Sequence, residues 1–500
     1  MSLPINSAPR HRMASNNYFN RDSLSEENAP LVDSADDSSQ TPEDRLLVSD
    51  AIIASGETFS WKNFWRFTGP GWLMSIAYLD PGNLESNLQA AAICGNKLLW
   101  ILFWAHFLGL LIQNLSSRLG AVTGKHLAQH IRQRYPAPIA TVLWLMCELA
   151  IIGSDIQEVV GTAVAFQILL NFPLWLGVLL TALDTFTFLA LHRFGMRRLE
   201  AFFIALISIM ALCFWFEMFL VRPDPMLVLE GLLIPTVPAQ ATVQAVAMVG
   251  AIIMPHNIFL HSALVAERDI CRAETSQSEV KLANRYFLIE SAIALFVSFL
   301  INLSILVVFA QAFYYPSGVP QDGKGLNDAA GALTKLLGSK GKYLWAIGLL
   351  AAGQSSTMTG TLAGQYVVEG FWKLSIAPWK RVLITRSLAL IPSILVALIA
   401  QNHLDSLGEY LNALQSLQLP FALIPLLALV GDPKVMGRGF ATRRVTLYLY
   451  YAVAFVLIGF NVYLMKHIFV AFSEKMVSQV FMILGGIVYT VFLMLVIKTS

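Results

Sequence analysis

The fold is decided by the stretch Ala77-Tyr-Leu-Asp80-Pro-Gly-Asn83, which lies in the middle of a mostly apolar segment. A carboxylate at membrane depth costs at least ~2.5–3.5 kcal/mol, so the presence of Asp80 there indicates a functional role. Pro81 removes a backbone donor and Gly82 favours non-helical angles, so we expect the helix to break here. Broken backbone inside a membrane must be covered by protein or line a water-filled cavity. An acid, an amide and freed carbonyl groups then converge on one point, which suits a cation.

A second stretch of the same kind, Met254-Pro-His-Asn257, lies inside the apolar segment from Val246 to Val265. Paired interruptions in the two halves of a chain are typical of secondary transporters with internal repeats, whose binding site lies near the bilayer midplane. The two breaks are five apolar segments apart, and an odd offset inverts the second unit relative to the first. The sequence therefore predicts two inverted five-helix repeats, each of which begins with a broken helix.

The composition is that of an integral membrane protein. The 500 residues are 56% hydrophobic and only 13% charged, which is too apolar for a soluble protein of this length. A net charge near +2 suggests no nucleic-acid partner. The four cysteines are scattered, without a CxxC pair or zinc spacing, so neither a disulfide framework nor a structural metal site is indicated. The sequence shows no nucleophile–base pair that would indicate an enzyme, and we expect no cofactor.

Residues 1–59 are rich in Ser, Asn, Asp, Glu and Pro, and we expect them to form a disordered cytoplasmic tail. This tail has no apolar core and is therefore not a signal peptide. Two stretches that begin at Glu27 and Glu43 loosely resemble acidic dileucine signals, which would bind sorting adaptors. A plain solvated tail is the favoured interpretation of the same residues.

The rest of the chain contains twelve apolar segments, each near the ~20 residues that a bilayer requires. They lie at 66–93, 98–117, 138–170, 174–191, 199–220, 241–267, 284–313, 342–371, 383–401, 408–430, 446–466 and 477–497. The first repeat then spans 60–220, the second spans 221–430, and 431–500 adds two helices. Lys and Arg are concentrated in alternate loops, at 118–134, 193–198, 268–285, 373–381 and 434–444. This bias predicts that both termini are cytoplasmic.

The residues at the two breaks form a mixed oxygen and sulfur set. Asp80 and Asn83 offer a charged and a neutral oxygen, and Met254 offers a thioether. The Ala251 carbonyl should also be free, because Pro255 cannot supply the amide hydrogen that would occupy it. Mg2+ and Ca2+ prefer hard oxygen ligands, whereas later transition metals tolerate sulfur. The set therefore predicts a site for a divalent transition metal such as Mn2+ or Fe2+.

Further ionisable residues lie within the apolar segments. Asp155 and Glu158 share a helix face, His256 and His261 follow the second break, and Arg386 opens segment 9. Such groups at depth suggest a proton relay, since His titrates near neutral pH and buried acids shift upward. The alternative is a salt-bridge network that holds helices together, and His256 could equally be a gate or a packing residue.

Two polar stretches remain. The small and hydroxyl residues of Gly353–Gly360 favour close helix packing in segment 8. Asn412, Gln415 and Gln418 precede Pro420 in segment 10 and could face the central cavity.

These motifs together resemble the natural resistance-associated macrophage protein family, which includes the divalent metal transporters. The resemblance covers about residues 60–500, and its motifs occur in the family's order at Phe67–Asn83, Gly153–Glu158, Met254–Leu264, Gly353–Gly360 and Gln415–Phe421. It implies an all-helical, LeuT-like membrane fold and proton-coupled import of Mn2+ or Fe2+ as substrates, with Co2+, Cd2+ or Zn2+ carried by some members. Either the plasma membrane or an endosomal or lysosomal membrane fits.

The resemblance also implies roles for single residues. The positions that match the family's metal ligands are Asp80, Asn83, Ala251 and Met254, with Asn412 as a weaker match. The positions that match its proton route are Asp80, Asp155, Glu158, His256, His261 and Arg386.

Two other functions remain open from the residues alone. A Na+-coupled carrier of organic solutes could share this architecture, but its site should use backbone and hydroxyl groups at a helix end rather than an acid and a thioether. A receptor or sensor could bind the metal without moving it, but it would not need two symmetric breaks.

Overall fold

The computed structural model describes residues 59–181, 196–270, 272, 277–372, 404–471 and 476–499, with isolated positions between 380 and 395. These described residues contain helices and irregular segments but no strands. The helices are α1 (Trp61–Phe67), α2 (Pro70–Ile76), α3 (Pro81–Cys94), α4 (Leu99–Thr123), α5 (Leu127–Arg134), α6 (Ala137–Leu170), α7 (Leu174–Thr181), α8 (Met196–Val221), α9 (Pro225–Leu233), α10 (Thr242–Ile252), α11 (Pro255–Ala266), α12 (Gln277–Phe309), α13 (Leu326–Leu337), α14 (Ser339–Trp372), α15 (Leu404–Gly431), α16 (Pro433–Met436), α17 (Arg444–Ala471) and α18 (Met476–Thr499).

Three of the sequence-based predictions concern residues outside those that the structure describes. The dileucine-like stretches of the tail, most of segment 9 and the position of Arg386 lie outside the described residues. Segment 4 is described only as far as Thr181, where α7 ends.

The first predicted break is present, and it separates α2 from α3. Pro81 occupies the first turn of α3, where its missing N–H costs nothing, and Asp80 caps the helix by accepting the Asn83 N–H at 2.9 Å. The predicted segment 66–93 begins inside α1, which ends at Phe67, and the chain turns before α2. Gly69 makes this turn with φ 138°, which strongly favours glycine.

The second break separates α10 from α11 and is built in the same way. The helix α10 ends at Ile252, and Ile253 leaves helical geometry with ψ 79°. Met254 is extended and caps α11, whose first residue is Pro255. Two helices are thus interrupted by the same Pro-based chemistry, as the sequence predicts.

Close packing places the two breaks against the neighbouring helices. The helix α3 contacts α10, and α6 packs along the full middle of α14. A Cβ at Gly353 would lie 2.0 Å from the Thr162 hydroxyl, and one at Gly161 would lie 2.4 Å from the Pro81 side chain. The small residues of Gly353–Gly360 therefore serve helix approach, as expected, and α14 remains continuous through them.

The apolar helices are suited to a membrane. Seven helical stretches of the described residues are long and apolar enough to cross a bilayer. Large apolar side chains on the outside are strongly exposed, among them Leu212 at 70%, Phe219 at 67% and Phe455 at 75%. Such a surface requires a lipid environment rather than water.

Candidate metal site at the two helix breaks

The side-chain amide of Asn83 joins the two breaks. Its Nδ2 donates to Asp80 Oδ1 at 2.5 Å and to the Ala251 carbonyl oxygen at 3.0 Å. The Ala77 carbonyl lies at 3.5 Å from the same nitrogen. Three oxygens, from both interrupted helices, therefore face one position that is occupied here by a donor group. A cation would be attracted to this position for the same electrostatic reason as the amide N–H.

Asp80 keeps one oxygen free. Its Oδ2 has no hydrogen-bond partner among the described residues, although the side chain is only 1% exposed. A buried polar atom without a partner costs about 1–3 kcal/mol, and more when the group is charged. The nitrogen and oxygen of an Asn side chain are interchangeable by rotation about its last bond. After such a rotation, Asn83 would present Oδ1 beside Asp80 and the Ala251 carbonyl, and the three oxygens would form a cation shell.

The side chains at the two breaks are shielded from water. Asp80 and Asn83 are each 1% exposed, Met254 is 2% exposed and His256 is 3% exposed. Met254 stands at the helix end where α11 begins, directly after the interruption. This conformation is therefore an occluded one, in which a bound ion would have to shed most of its hydration shell.

Asn412 lies next to the first break, and both polar atoms of its side chain have hydrogen-bond partners. Its Nδ2 donates to the Gly82 carbonyl at 3.2 Å, and its Oδ1 accepts from Gln157 Nε2 at 2.9 Å. Gln157 Oε1 accepts in turn from Gln415 Nε2 at 3.1 Å. In this structure the Asn412 side chain therefore contacts the backbone of the first break, and the amide chain connects α3, α6 and α15, while the metal contact of Asn412 stays a prediction. Sequence reasoning missed Gln157, whose position two residues after Asp155 was its only signal.

The acidic pair of α6 faces α14. Asp155 and Glu158 are 3% and 2% exposed, and Ser154 Oγ donates to Glu158 Oε1 at 2.8 Å. A Cβ at Gly360 would lie 2.9 Å from Asp155 Oδ1, so glycine is needed there for the carboxylate to fit. The pair is therefore held in a buried, polar groove between two helices rather than in a surface ion pair.

The two histidines after the second break differ in their surroundings. His261 Nδ1 lies 2.8 Å from Gln113 Oε1, and since an amide oxygen can only accept, the imidazole donates. His261 Nε2 and His256 Nδ1 have no partner among the described residues. His261 is thus oriented by α4, through Gln113, which the sequence did not identify as a functional residue.

A further buried hydrogen-bond network contacts the chain just before the first break, at the Tyr78 carbonyl. Asn302 Nδ2 donates to the Tyr78 carbonyl at 2.7 Å, and Asn302 Oδ1 accepts from Asn87 Nδ2 at 2.7 Å. His106 Nε2 lies 3.3 Å from the same Asn302 nitrogen, while its Nδ1 donates to the Leu102 carbonyl at 2.9 Å. These residues hold a backbone carbonyl that the broken helix leaves without its usual partner. Neutral amides inside apolar helices were the only signal for them.

The site differs from a closed metal centre. The part of the chain that the structure describes contains no group of three His, Cys, Asp or Glu side chains that could hold a metal. Instead, one carboxylate, one side-chain amide, one backbone carbonyl and one thioether lie at the two breaks.

Comparison of the sequence with known protein families identifies the family of this chain. Residues 71–467 match the family described as natural resistance-associated macrophage protein-like, Nramp. The chain belongs to the Nramp family. Among its relatives, the "Metal transporter nramp1 homolog" of Dictyostelium discoideum is 52% identical over 426 residues, which is 85% of this chain and 78% of that protein. "Natural resistance-associated macrophage protein 1" of Homo sapiens is 51% identical over 407 residues, 76% of this chain and 74% of that protein.

Solved structures confirm the Nramp fold. A mutant of the Eremococcus coleocola manganese transporter has a TM-score of 0.76 and 29% identity, and the match covers 89% of this chain and 94% of that one. Mhp1, a nucleobase–cation symporter, shares only the fold, with a TM-score of 0.51, 15% identity and coverage of 79% and 91%. The predicted fold class, an all-helical membrane transporter with inverted repeats and two broken helices, is therefore confirmed.

Proposed function

We propose that this Nramp protein is a proton-coupled symporter that moves Mn2+ or Fe2+ into the cytosol. The observation that carries the proposal is the convergence of Asp80 and the Ala251 carbonyl on one amide group, with Asp80 Oδ2 unpartnered and buried. Relatives that are named metal transporters support it. The metal is the substrate, so the proposal needs no cofactor.

The ligands would be Asp80, Asn83 through its oxygen, the Ala251 carbonyl and the Met254 thioether. Oxygen alone would not separate Mn2+ from Ca2+, because both accept carboxylate and carbonyl ligands. A thioether changes this balance, since it is a poor ligand for Ca2+ and an acceptable one for transition metals. Met254 would therefore set selectivity, while Asp80 would supply most of the attraction. Asn412 would hold the backbone of the break in place rather than bind the ion.

Transport also requires that the half-helix α2 can move. In this conformation α2 is tied at the end that we expect to be cytoplasmic. Glu290 Oε1 accepts from the backbone N–H of Gly69 at 2.5 Å and of Trp72 at 3.3 Å. The Thr68 carbonyl accepts from the guanidinium groups of Arg197 at 2.6 Å and Arg268 at 3.2 Å, and both arginines pair with Glu200. Release of these contacts would open the path to the cytosol.

Protons would leave by the polar groups beside the site. Asp80 would exchange its proton with the Asp155 and Glu158 pair on α6, or with His261 on α11. His261 has one ring nitrogen held by Gln113 and the other without a partner, which is what a relay group needs. Arg386 and His256 remain candidates for the same route.

Uptake by purified protein in liposomes tests the proposal. With an inward pH gradient, wild-type protein should accumulate Mn2+ and acidify the vesicle interior, whereas Asp80→Asn should do neither. The matched control is Asp224→Asn, because Asp224 is an exposed helix cap on α9 and its replacement should leave uptake unchanged. Metal uptake that is unaffected by Asp80→Asn would contradict the site. Metal uptake without proton influx would contradict the coupling.

A further inference from the structure

A small polar cavity lies apart from the two breaks, under the loop that precedes α13. It has a volume of about 40 Å³, which exceeds the roughly 10–15 Å³ that one water needs. Its lining comes from α3, α10, α15 and the loop, through Gln89, Ile93, Gln244, Gln321, Asp322, Gly323, Lys324 and Glu409. The four elements include both half-helices that lead to the proposed metal site.

The cavity lies between the two breaks and the side of the membrane that we expect to be outside. Gln89 follows Asn83 by six positions on α3, and Gln244 precedes Ala251 by seven positions on α10. At 1.5 Å per residue, both side chains lie roughly 9–11 Å along their helices from the transport site. Both residues are displaced from the breaks toward the membrane side opposite the Lys- and Arg-rich loops. A cation that travels inward between α3 and α10 would meet this cavity first.

One buried oxygen atom of the cavity lining lacks a hydrogen-bond partner in the part of the chain that the structure describes. Gln244 is 6% exposed, and its Oε1 has no hydrogen-bond partner within the described residues. Its Nε2 donates to Glu409 Oε1 at 3.0 Å, and both residues line the cavity. Asp322 brings a second carboxylate from the loop, where Oδ1 accepts from the Gly323 N–H at 2.9 Å. One buried amide and two carboxylates thus line the same small cavity, and oxygen ligands of this kind suit a divalent cation.

The loop is fastened over the cavity. The Gln321 N–H donates to the Ala92 carbonyl of α3 at 3.0 Å, and Gln321 Nε2 donates to the Phe313 carbonyl at 2.7 Å. Lys324 also reaches the cavity, but its ammonium pairs with Asp328 of α13 at 3.7 Å. With Asp322 and Glu409 against one lysine, the net charge of the lining is negative, and exposed Asp322 stands at the solvent side of the cavity.

We propose that this cavity is a second cation site, at which a hydrated divalent ion pauses before it enters the transport site. Its donors are the Gln244 amide oxygen and the Glu409 and Asp322 carboxylates, so it offers hard oxygen and no sulfur. Mg2+ and Ca2+ bind there as well as Mn2+, because hard ligands with room for water do not distinguish them. The cavity gathers divalent ions, and the breaks select among them. Its role in uptake rests on the proposed function, whereas its binding of ions does not.

The first experiment measures transport at low ionic strength, where such charges act most strongly. Glu409→Gln should raise the KM for Mn2+ by about three- to tenfold with little change in the maximal rate, and Mg2+ should compete less. The matched control is Glu230→Gln, which removes an exposed carboxylate of α9 on the same side. Equal effects of the two variants, or no change in KM with Glu409→Gln, would overturn the proposal.

The second experiment measures binding without transport. Mn2+ is titrated into purified Asp80→Asn protein, and binding is measured as the loss of the free-ion electron paramagnetic resonance signal. The titration should reveal one weak Mn2+ site, from which Mg2+ displaces the bound Mn2+. Adding Glu409→Gln should remove it. If that variant fails to fold, Gln244→Glu serves instead, because a third carboxylate should tighten the weak site and lower KM. A weak site that neither change alters would refute the cavity. A cavity that binds Mn2+ in a protein that transports no metal would refute only the proposed function.

Discussion

The tie between Glu290 and the start of α2 should determine how readily the cytoplasmic side opens. One buried carboxylate oxygen accepts two backbone N–H groups, from Gly69 at 2.5 Å and Trp72 at 3.3 Å, and the residue is 1% exposed. Glu290→Gln keeps the shape and an acceptor but removes the charge. Hydrogen bonds to charged groups contribute about 1.5–3 kcal/mol against about 0.5–1.5 kcal/mol for neutral ones. Because the second bond is long, we expect a loss of about 1.5–2 kcal/mol.

Such a loss corresponds to a roughly 10- to 30-fold shift toward the inward-open state. The reporter is Ser75→Cys, since Ser75 lies on α2 and is 0% exposed in the occluded conformation. Its rate of reaction with a membrane-impermeant thiol reagent, applied from the cytoplasmic side, should rise by that factor in the Glu290→Gln background.

The matched control is Ser86→Cys on α3, which is also buried but lies beyond the break. Its labelling from the cytoplasmic side should change much less. A Ser75→Cys rate that stays within twofold of the parent, in protein that still folds, would show that Glu290 does not hold the gate.

Three further predictions concern selectivity, packing and pH. Met254→Ala should keep part of the Mn2+ uptake but admit Ca2+, and continued exclusion of Ca2+ in a tracer assay would contradict the selectivity argument. Gly120→Ala should destabilise the protein by about 1–3 kcal/mol in thermal unfolding, because its Cβ would lie 2.2 Å from a backbone carbonyl of α11, whereas Gly331→Ala meets nothing within 4 Å and should be neutral or stabilising. A hydrogen bond from Arg134 lowers the pKa of Asp432, so this pair stabilises the fold above pH ~4 and loses its effect as the pH falls through the lowered pKa. Asp432→Asn should therefore cost about 0.2–1 kcal/mol at pH 7 and progressively less as the pH falls through the lowered pKa of Asp432, as unfolding across the acid range would show.

The local chemistry of proline and glycine made the two breaks predictable. Proline is favoured in the first turn of a helix and disfavoured in its interior. Pro81 and Pro255 therefore predict the two interruptions directly from the sequence. The pairing of the breaks across the chain was also predictable, because repeat symmetry leaves few ways to cover exposed backbone in a membrane. The start of the first segment was not, since a single Gly69 with positive φ separates α1 from α2.

The supporting shell could not be predicted. Gln113, Gln157 and Asn302 are neutral amides in apolar helices, and a sequence indicates only that each needs some partner. Which partner it finds depends on helix rotation and on contacts between residues far apart in the chain, such as Asn302 with the Tyr78 carbonyl. Glu290 was missed for the same reason, although a lone carboxylate in an apolar helix indicates a functional or structural role.

The central claim is that one metal ion is bound between the two breaks, by oxygen from the first and sulfur from the second. X-ray absorption at the Mn edge of purified, Mn2+-loaded protein tests it directly, in excess Mg2+ to displace Mn2+ from weaker oxygen sites. We expect a sulfur scatterer in the first shell of the wild-type protein that disappears in Met254→Ala while oxygen ligands remain. A first shell of oxygen alone in the wild-type protein, or a sulfur signal that persists after Met254→Ala, would contradict the account.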